Sequence, residues 1–178
     1  MKFQLHNLQT APSNSIPLLE NSIKSFGMVP NLHAVMAESP TALNAYKQLH
    51  EWFQETGFNA DELTVIWQTI NVEHQCHYCI PAHTGIAHMM NVDQDIIDAL
   101  LNRQSLPNEK LQVLHKTTLS LVQNRGHLSD EERDAFYKAG YENKHLLGIL
   151  VGMAQKVMSN YTNHLAETPV DSMFEKFI

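Results

Sequence analysis

Apolar residues recur in this chain at steps of three and four positions, and proline, glycine and capping residues cut the recurrence at intervals. That rhythm belongs to helices, and it runs almost end to end. "SIPLLENSIKSFG" reads as a helix stopped by Gly27, and Pro30 opens the short segment "PNLHAVMAES". Ser39-Pro40 is an N-cap followed by proline at the first helical position, and that helix closes at Gly57. Asn59 or Asp61 can cap "DELTVIWQTINVEHQ", and Ser129 stands three residues before Glu132, the spacing of a capping box. A last long helix is expected from about Asn143 to Ala166, ended by Pro169. "LTVIW" is rich in strand-forming residues, but its continuation keeps helical spacing and no hairpin partner follows. The expected fold is all-α, a compact single-domain bundle of about eight helices over residues 1–178, with residues 1–14 as an N-terminal extension.

Composition excludes several functions. The 178 residues are 43% hydrophobic, enough for a sizeable core. A net charge of -7 without a Lys/Arg cluster argues against nucleic acid as a partner. The longest apolar run, "LLGILVGMA", falls far short of the roughly 20 residues that cross a bilayer, so no membrane partner is expected. "MKFQLHNLQTAPSNS" carries one lysine and no apolar run, so neither a signal peptide nor a secreted disulfide framework is expected. The expectation is a cytoplasmic protein whose thiols rest reduced.

The chemistry is concentrated in "NVEHQCHYCIPAHTG", where the chain's only two cysteines, Cys76 and Cys79, stand three positions apart. A structural zinc site needs about four ligands, usually from two such pairs, and there is one pair here. A redox dithiol needs less. Pro81 belongs in a first helical turn, which places a helix start near Tyr78 to Ile80. Two sulfurs at that start can close a disulfide, and the free N–H groups there favour a thiolate. His83 follows one turn beyond Cys79 and can take a thiol proton near neutral pH. In the preceding helix Leu63, Ile66, Trp67 and Ile70 share a face that continues to Glu73, one turn before Cys76. Glu62, Ile66, Thr69 and Glu73 share a face as well, so Glu62 is a second candidate acid. An acid at a core edge can hold a proton near neutral pH. The plain alternative is a pair of buried cysteines acting as small hydrophobes. No flavin or haem motif is present, and no cofactor is expected.

Taken together, "EHQCHYCIPAHTGIA" resembles the signature of the AhpD-like alkylhydroperoxidases in the carboxymuconolactone decarboxylase superfamily. "FGMVPNLHAVMAESPTALNAYKQL" is similar to the family's N-terminal helices, and the stretch from "LSDEERDAFYKAG" through "NYTNHLAETPVD" to its C-terminal half. The resemblance spans about residues 15 to 172. It implies thiol-dependent reduction of alkyl or hydrogen peroxide in antioxidant defence, by homo-oligomers, often trimers or hexamers. It implies Cys79 as the peroxidatic thiolate, Cys76 as the resolving thiol and His83 as the proton relay. An external dithiol, lipoyl group or thioredoxin-like protein would reduce the resulting disulfide. In the best-known pattern an acid stands twelve positions before the first cysteine, where this chain has Thr64. The helical stripe favours Glu73 for that role, with Glu62 second. Where some members carry a histidine between the cysteines, Tyr78 stands here, preceded by His77.

Trp67, Ile80, Met89, Met90 and Phe53 are candidates to line an apolar pocket. Leu32, Val35 and Met36 are candidates for a face that only a second copy covers. Two other functions fit the residues: a non-redox decarboxylase-type enzyme using histidine and carboxylate, and a thiol-based redox sensor or assembly protein.

Overall fold

The computed structural model describes residues 2–178, and among them there are nine α-helices and no strand. In chain order the helices are α1 (Ile16–Phe26), α2 (Asn31–Met36), α3 (Pro40–Gln54), α4 (Ala60–Glu73), α5 (Cys79–Met89), α6 (Gln94–Leu101), α7 (Glu109–Gln123), α8 (Asp130–Lys138) and α9 (Asn143–Ala166). Short 3-10 turns cover Ser13–Ser15 and Ser172–Phe177. The helix starts follow their caps. Ser39 accepts the Ala42 N–H, and full capping boxes join Asn59 to Glu62 and Ser129 to Glu132. Gly27 ends α1 in the left-handed conformation.

Helix α4 is the axle of the molecule. Every residue from 62 to 71 is buried, because α4 packs against α5, α6, α7 and α9 at once. One apolar cluster surrounds Trp67 and Ile70 and reaches Leu114, Phe136 and Ile149. A second gathers Leu19, Leu43, Tyr46 and both cysteines. The polar row of α4, Thr64, Gln68 and Asn71, is therefore buried rather than solvated. Gln68 donates to the Ile80 carbonyl at 3.1 Å and to Thr84 Oγ1 at 3.0 Å, and Asn71 donates to the Cys79 carbonyl at 3.3 Å. These bonds fix α5 against α4 and satisfy polar groups that burial would otherwise penalise.

Helix α9 reverses the usual amphipathic order. Its buried face carries Gly148, Ile149, Gly152, Gln155, Lys156, Ser159, Asn160 and Asn163. Leu147, Leu150, Val157, Tyr161 and Leu165 make up an exposed apolar row on the opposite side. Gly152 is required by the close approach of α3: a Cβ there would lie 2.7 Å from the Phe53 ring.

The chain ends are held to the body. His6 is buried, donates its backbone N–H to the Ala34 carbonyl and pairs its Nε2 with Glu38 at 2.8 Å. Of the expected N-terminal extension, Met1 lies outside the described residues. The C-terminal segment from Thr168 onward packs over α5. Leu32, Val35 and Met36 are buried within this chain, so they leave no face for a second copy; the exposed apolar row lies on α9. Among the described residues no helix is long and apolar enough to cross a membrane.

Candidate active site

The turn between α4 and α5 sets the dithiol. Helix α4 ends in a Schellman motif: Cys76 N–H donates to the Asn71 carbonyl at 3.0 Å and Gln75 N–H to the Val72 carbonyl at 3.2 Å. Gln75 takes the left-handed position with φ 53°, a conformation that favours glycine and costs a side-chain-bearing residue roughly 1 kcal/mol. The motif turns the chain so that α5 starts at Cys79, with Cys76 one turn ahead. The Cys79 N–H then donates to Cys76 Sγ at 3.3 Å. Both thiols are free and buried.

Both residues between the cysteines are tied to the C-terminal segment. His77 Nε2 donates to the Thr168 carbonyl at 2.9 Å, and the Tyr78 hydroxyl donates to the Asp171 carboxylate. Asp171 also accepts the Asn31 N–H at 2.9 Å, so it pins α2 and the dithiol turn together.

Helix α9 supplies the other wall. Asn163 Nδ2 donates to Cys79 Sγ at 3.3 Å, and Ser159 Oγ lies 3.8 Å from the same sulfur. Lys156 is fully buried, and its Nζ bonds His83 Nε2 at 2.9 Å. As an ammonium Lys156 can only donate, and a neutral His83 facing it would then carry its ring proton on Nδ1. Nδ1 has no hydrogen-bond partner among the described residues. Burial, with the Lys156 charge beside it, holds His83 well below the ordinary histidine range, so the ring is neutral at pH 7.

The two thiols are not equivalent. Burial raises Cys79, but the hydrogen bond from Cys76, the Lys156 charge and the contacts with Ser159 and Asn163 outweigh it and bring Cys79 down to about 6. Cys76 moves far up, first through its hydrogen bond to Cys79 and then through burial. The pair thus loses one proton readily and keeps the other, and the surroundings of Cys79 favour the negative charge on its side.

Cys79 lines a cavity of about 390 Å³ whose walls include Phe26, Tyr46, Trp67, Met89 and Phe174. His33, His50, His83, Lys156 and Asp171 also reach it, whereas Cys76 does not. His50 stacks on Trp67 with centroids 5.7 Å apart, and Trp67 meets His83 at 4.9 Å. Gln155 links the rings, accepting the Trp67 N–H at 2.7 Å and donating to His50 Nδ1 at 3.0 Å. Burial, the largest cause, lowers His33 to about 3 and His50 to about 4, so the cavity's imidazoles are uncharged at neutral pH.

The structure places Cys79 and His83 on the wall of one cavity, sets Cys76 against Cys79 behind that wall, and leaves both candidate carboxylates elsewhere. Glu73 was expected to lie partly buried beside the thiols. Its carboxylate instead accepts from Gln123 at 3.0 Å and pairs with Arg103 at 3.4 Å. The cause is the Schellman turn, which folds Cys76 away from the stripe that Glu73 continues. Glu62 sits at the far N-terminus of α4, where it accepts from Asn59 N–H, Lys110 and Tyr141. Trp67, Met89 and Met90 line the cavity as expected, while Ile80 does not and Phe53 lies in the core beneath Gly152. Lys156, Ser159 and Asn163 escaped the sequence reading. Their signal is a polar row at steps of three and four along the long helix.

No protein-family model and no curated protein matches the sequence. Solved structures do match in three dimensions. An uncharacterized peroxidase-related protein from Ralstonia eutropha JMP134, described as an alkylhydroperoxidase AhpD core, superposes with a TM-score of 0.84 at 17% identity, covering 97% of this chain and 93% of that one. The fold is AhpD-like. A peroxidase-related protein from Silicibacter sp. TM1040 shares this AhpD-like fold at a TM-score of 0.81 and 16% identity, covering 98% of this chain and 95% of that one. So does the debrominase Bmp8, in a cysteine-to-alanine variant in complex with 2,3,4-tribromopyrrole: TM-score 0.80, 16% identity, 97% of this chain and 92% of that one. At these identities the likeness speaks for the AhpD-like architecture, and the chemistry rests on the site.

Proposed function

We propose that the protein is a two-cysteine thiol peroxidase that reduces alkyl or hydrogen peroxide. The observation that carries this reading is the asymmetry of the dithiol: Cys79 alone of the two sulfurs lines the cavity, and it is the one held as thiolate. The Cys79 sulfur attacks the terminal peroxide oxygen, the O–O bond breaks, and Cys79 becomes a sulfenic acid. His83 lines the same cavity as a neutral ring, where it can help hold the substrate beside Cys79. Cys76 then displaces the sulfenic oxygen and closes the Cys76–Cys79 disulfide. An external dithiol, a lipoyl group or a thioredoxin-like protein, reopens it by exchange. The aromatic and methionine walls suit a hydroperoxide with an apolar body.

Neither Glu73 nor Glu62 has a part in this scheme, since both are bonded elsewhere. The exposed apolar row of α9 supports self-association into a trimer or hexamer. A second reading, reductive dehalogenation, is favoured by the same thiolate facing a ring-lined cavity and by the likeness to the debrominase.

The test is hydroperoxide consumption with a dithiol reductant. Wild type should turn over, Cys79→Ser should be inactive, and Cys76→Ser should form a trappable sulfenic acid at Cys79 and stop after one turnover. Trapping at Cys76 in the Cys79→Ser protein would reverse the roles. A brominated pyrrole offered under the same conditions separates the two readings.

A further inference from the structure

Lys156 poses a problem that the dithiol solves. Its side chain is fully buried, yet among the described residues no carboxylate lies within ion-pair distance of it. A buried ammonium without a counter-ion is costly enough that it either loses its proton or finds an anion. The titratable groups around it are Cys76 and Cys79 at the start of α5, His83 on α5, Tyr46 and His50 on α3, His74 at the end of α4 and Asp171 in the tail. Asp171 is already engaged by Tyr78 and the Asn31 N–H. The histidines are held neutral by burial, and burial pushes Tyr46 above the ordinary tyrosine range. The hydrogen bond to Cys79 and burial keep the proton on Cys76, so Cys79, which shares the cavity wall with Lys156, is left to carry the negative charge.

We propose that Lys156 is the proton-carrying catalytic residue of this site, paired with the Cys79 thiolate when the dithiol is reduced and discharged to an uncharged amine when it is oxidised. It would thus do the work that the sequence assigned to a carboxylate. This inference rests on the peroxidase reading.

The protons balance without any group from outside the site except the reductant. Cys79–S⁻ attacks ROOH; the S–O bond forms, the O–O bond breaks, and the electron pair leaves on RO⁻. The Lys156 ammonium gives RO⁻ its proton and yields ROH. The Cys76 sulfur attacks the sulfenic sulfur; the S–S bond forms, the S–O bond breaks, and hydroxide leaves with the Cys76 proton as water. The site now holds a disulfide and an uncharged Lys156, so no buried charge is stranded. When a dithiol reduces the disulfide, one of its two protons returns to Cys76 and the other to Lys156, restoring the ion pair. Burial lowers Lys156 while the two sulfurs raise it, the directions that a charge following the dithiol's redox state requires. His83 Nε2 accepts from Lys156 in both states, since an amine still donates.

Lys156→Met tests the pairing, because a methionine of similar length keeps the packing and buried charges are often replaced by apolar groups without loss of stability. The pH profile of Cys79 alkylation by iodoacetamide should move upward, so that the rate at pH 7 falls at least about ten-fold, and peroxide turnover should fall by roughly 10²- to 10⁴-fold. Small primary amines added to Lys156→Ala should restore part of the turnover. An unshifted alkylation profile in folded Lys156→Met would overturn the proposal. Should the variants not fold, the wild-type protein decides. The ¹⁵Nζ resonance of Lys156 should be that of an ammonium in the reduced protein and of an amine in the disulfide form at the same pH. An ammonium in both forms would overturn the assignment. The peroxidase reading fails separately, through peroxide consumption that survives in Cys79→Ser; the alkylation profile and the resonance would still decide whether Lys156 is paired with Cys79.

Discussion

Glu62→Ala should unfold the protein more easily and leave its chemistry alone. In the sequence Glu62 is a candidate acid of the site. In the fold its Oε2 accepts the Asn59 N–H at 3.0 Å, and its Oε1 accepts from Lys110 at 2.9 Å and from Tyr141 at 3.0 Å. The losses add as follows. Removing the reciprocal arm of a capping box costs about 1 kcal/mol. The Tyr141 hydroxyl, on a buried ring, loses its acceptor at about 1–2 kcal/mol. Lys110 is half exposed, so screening leaves its share at less than about 1 kcal/mol. A total near 3 kcal/mol lowers the midpoint of thermal unfolding by roughly 6–12 °C for a chain of this length. Circular dichroism melts measure the shift, and peroxide consumption at 25 °C should stay within about two-fold of wild type. An unchanged melt together with a hundred-fold loss of turnover would show that Glu62 serves the thiols, and that α4 does not hold it where it is drawn.

Glu73→Gln should also leave turnover within about two-fold and cost less than about 1 kcal/mol, since its partner Arg103 is more than half exposed and the pair is long at 3.4 Å; steady-state kinetics and a melt check both. Wild-type Cys79 should react with iodoacetamide along a curve centred near pH 6, because its proton leaves at about 6; a midpoint near 8.5, that of an ordinary thiol, would contradict the site as built. Gln75→Gly should stabilise the protein by up to about 1 kcal/mol by relieving the left-handed turn, visible as a higher denaturant midpoint. Gly85→Ala would place a Cβ 2.5 Å from the Phe174 ring, which walls the cavity, so it should loosen the C-terminal segment and make that segment easier for protease to cut. Replacing Leu147 and Leu165 by glutamate should reduce the mass seen by light scattering; a wild type already at 20.3 kDa would defeat self-association through α9.

The helices were legible in the sequence because their ends are local events. Ser39, Asn59 and Ser129 cap by reaching three residues along their own chain, and Gly27 stops α1 by its own backbone freedom. That Cys79 and His83 share one side of α5 was legible for the same reason, since they lie one helical turn apart. Glu73 misled because a stripe projected along α4 assumes that the axis continues, and the left-handed turn at Gln75 breaks it. Lys156 escaped because the apolar pattern within α9 points to the wrong face. By its own pattern α9 would turn Leu147, Leu150 and Leu165 inward, yet the packing of α3, α4 and α5 buries the glycine, lysine and asparagine row instead. Sequence by itself determined where helices begin and end and which residues share a turn. Only the tertiary structure decided which face meets the core, and with it that a lysine stands beside the thiols, because that choice depends on contacts between residues some 80 positions apart, such as Asn163 with Cys79.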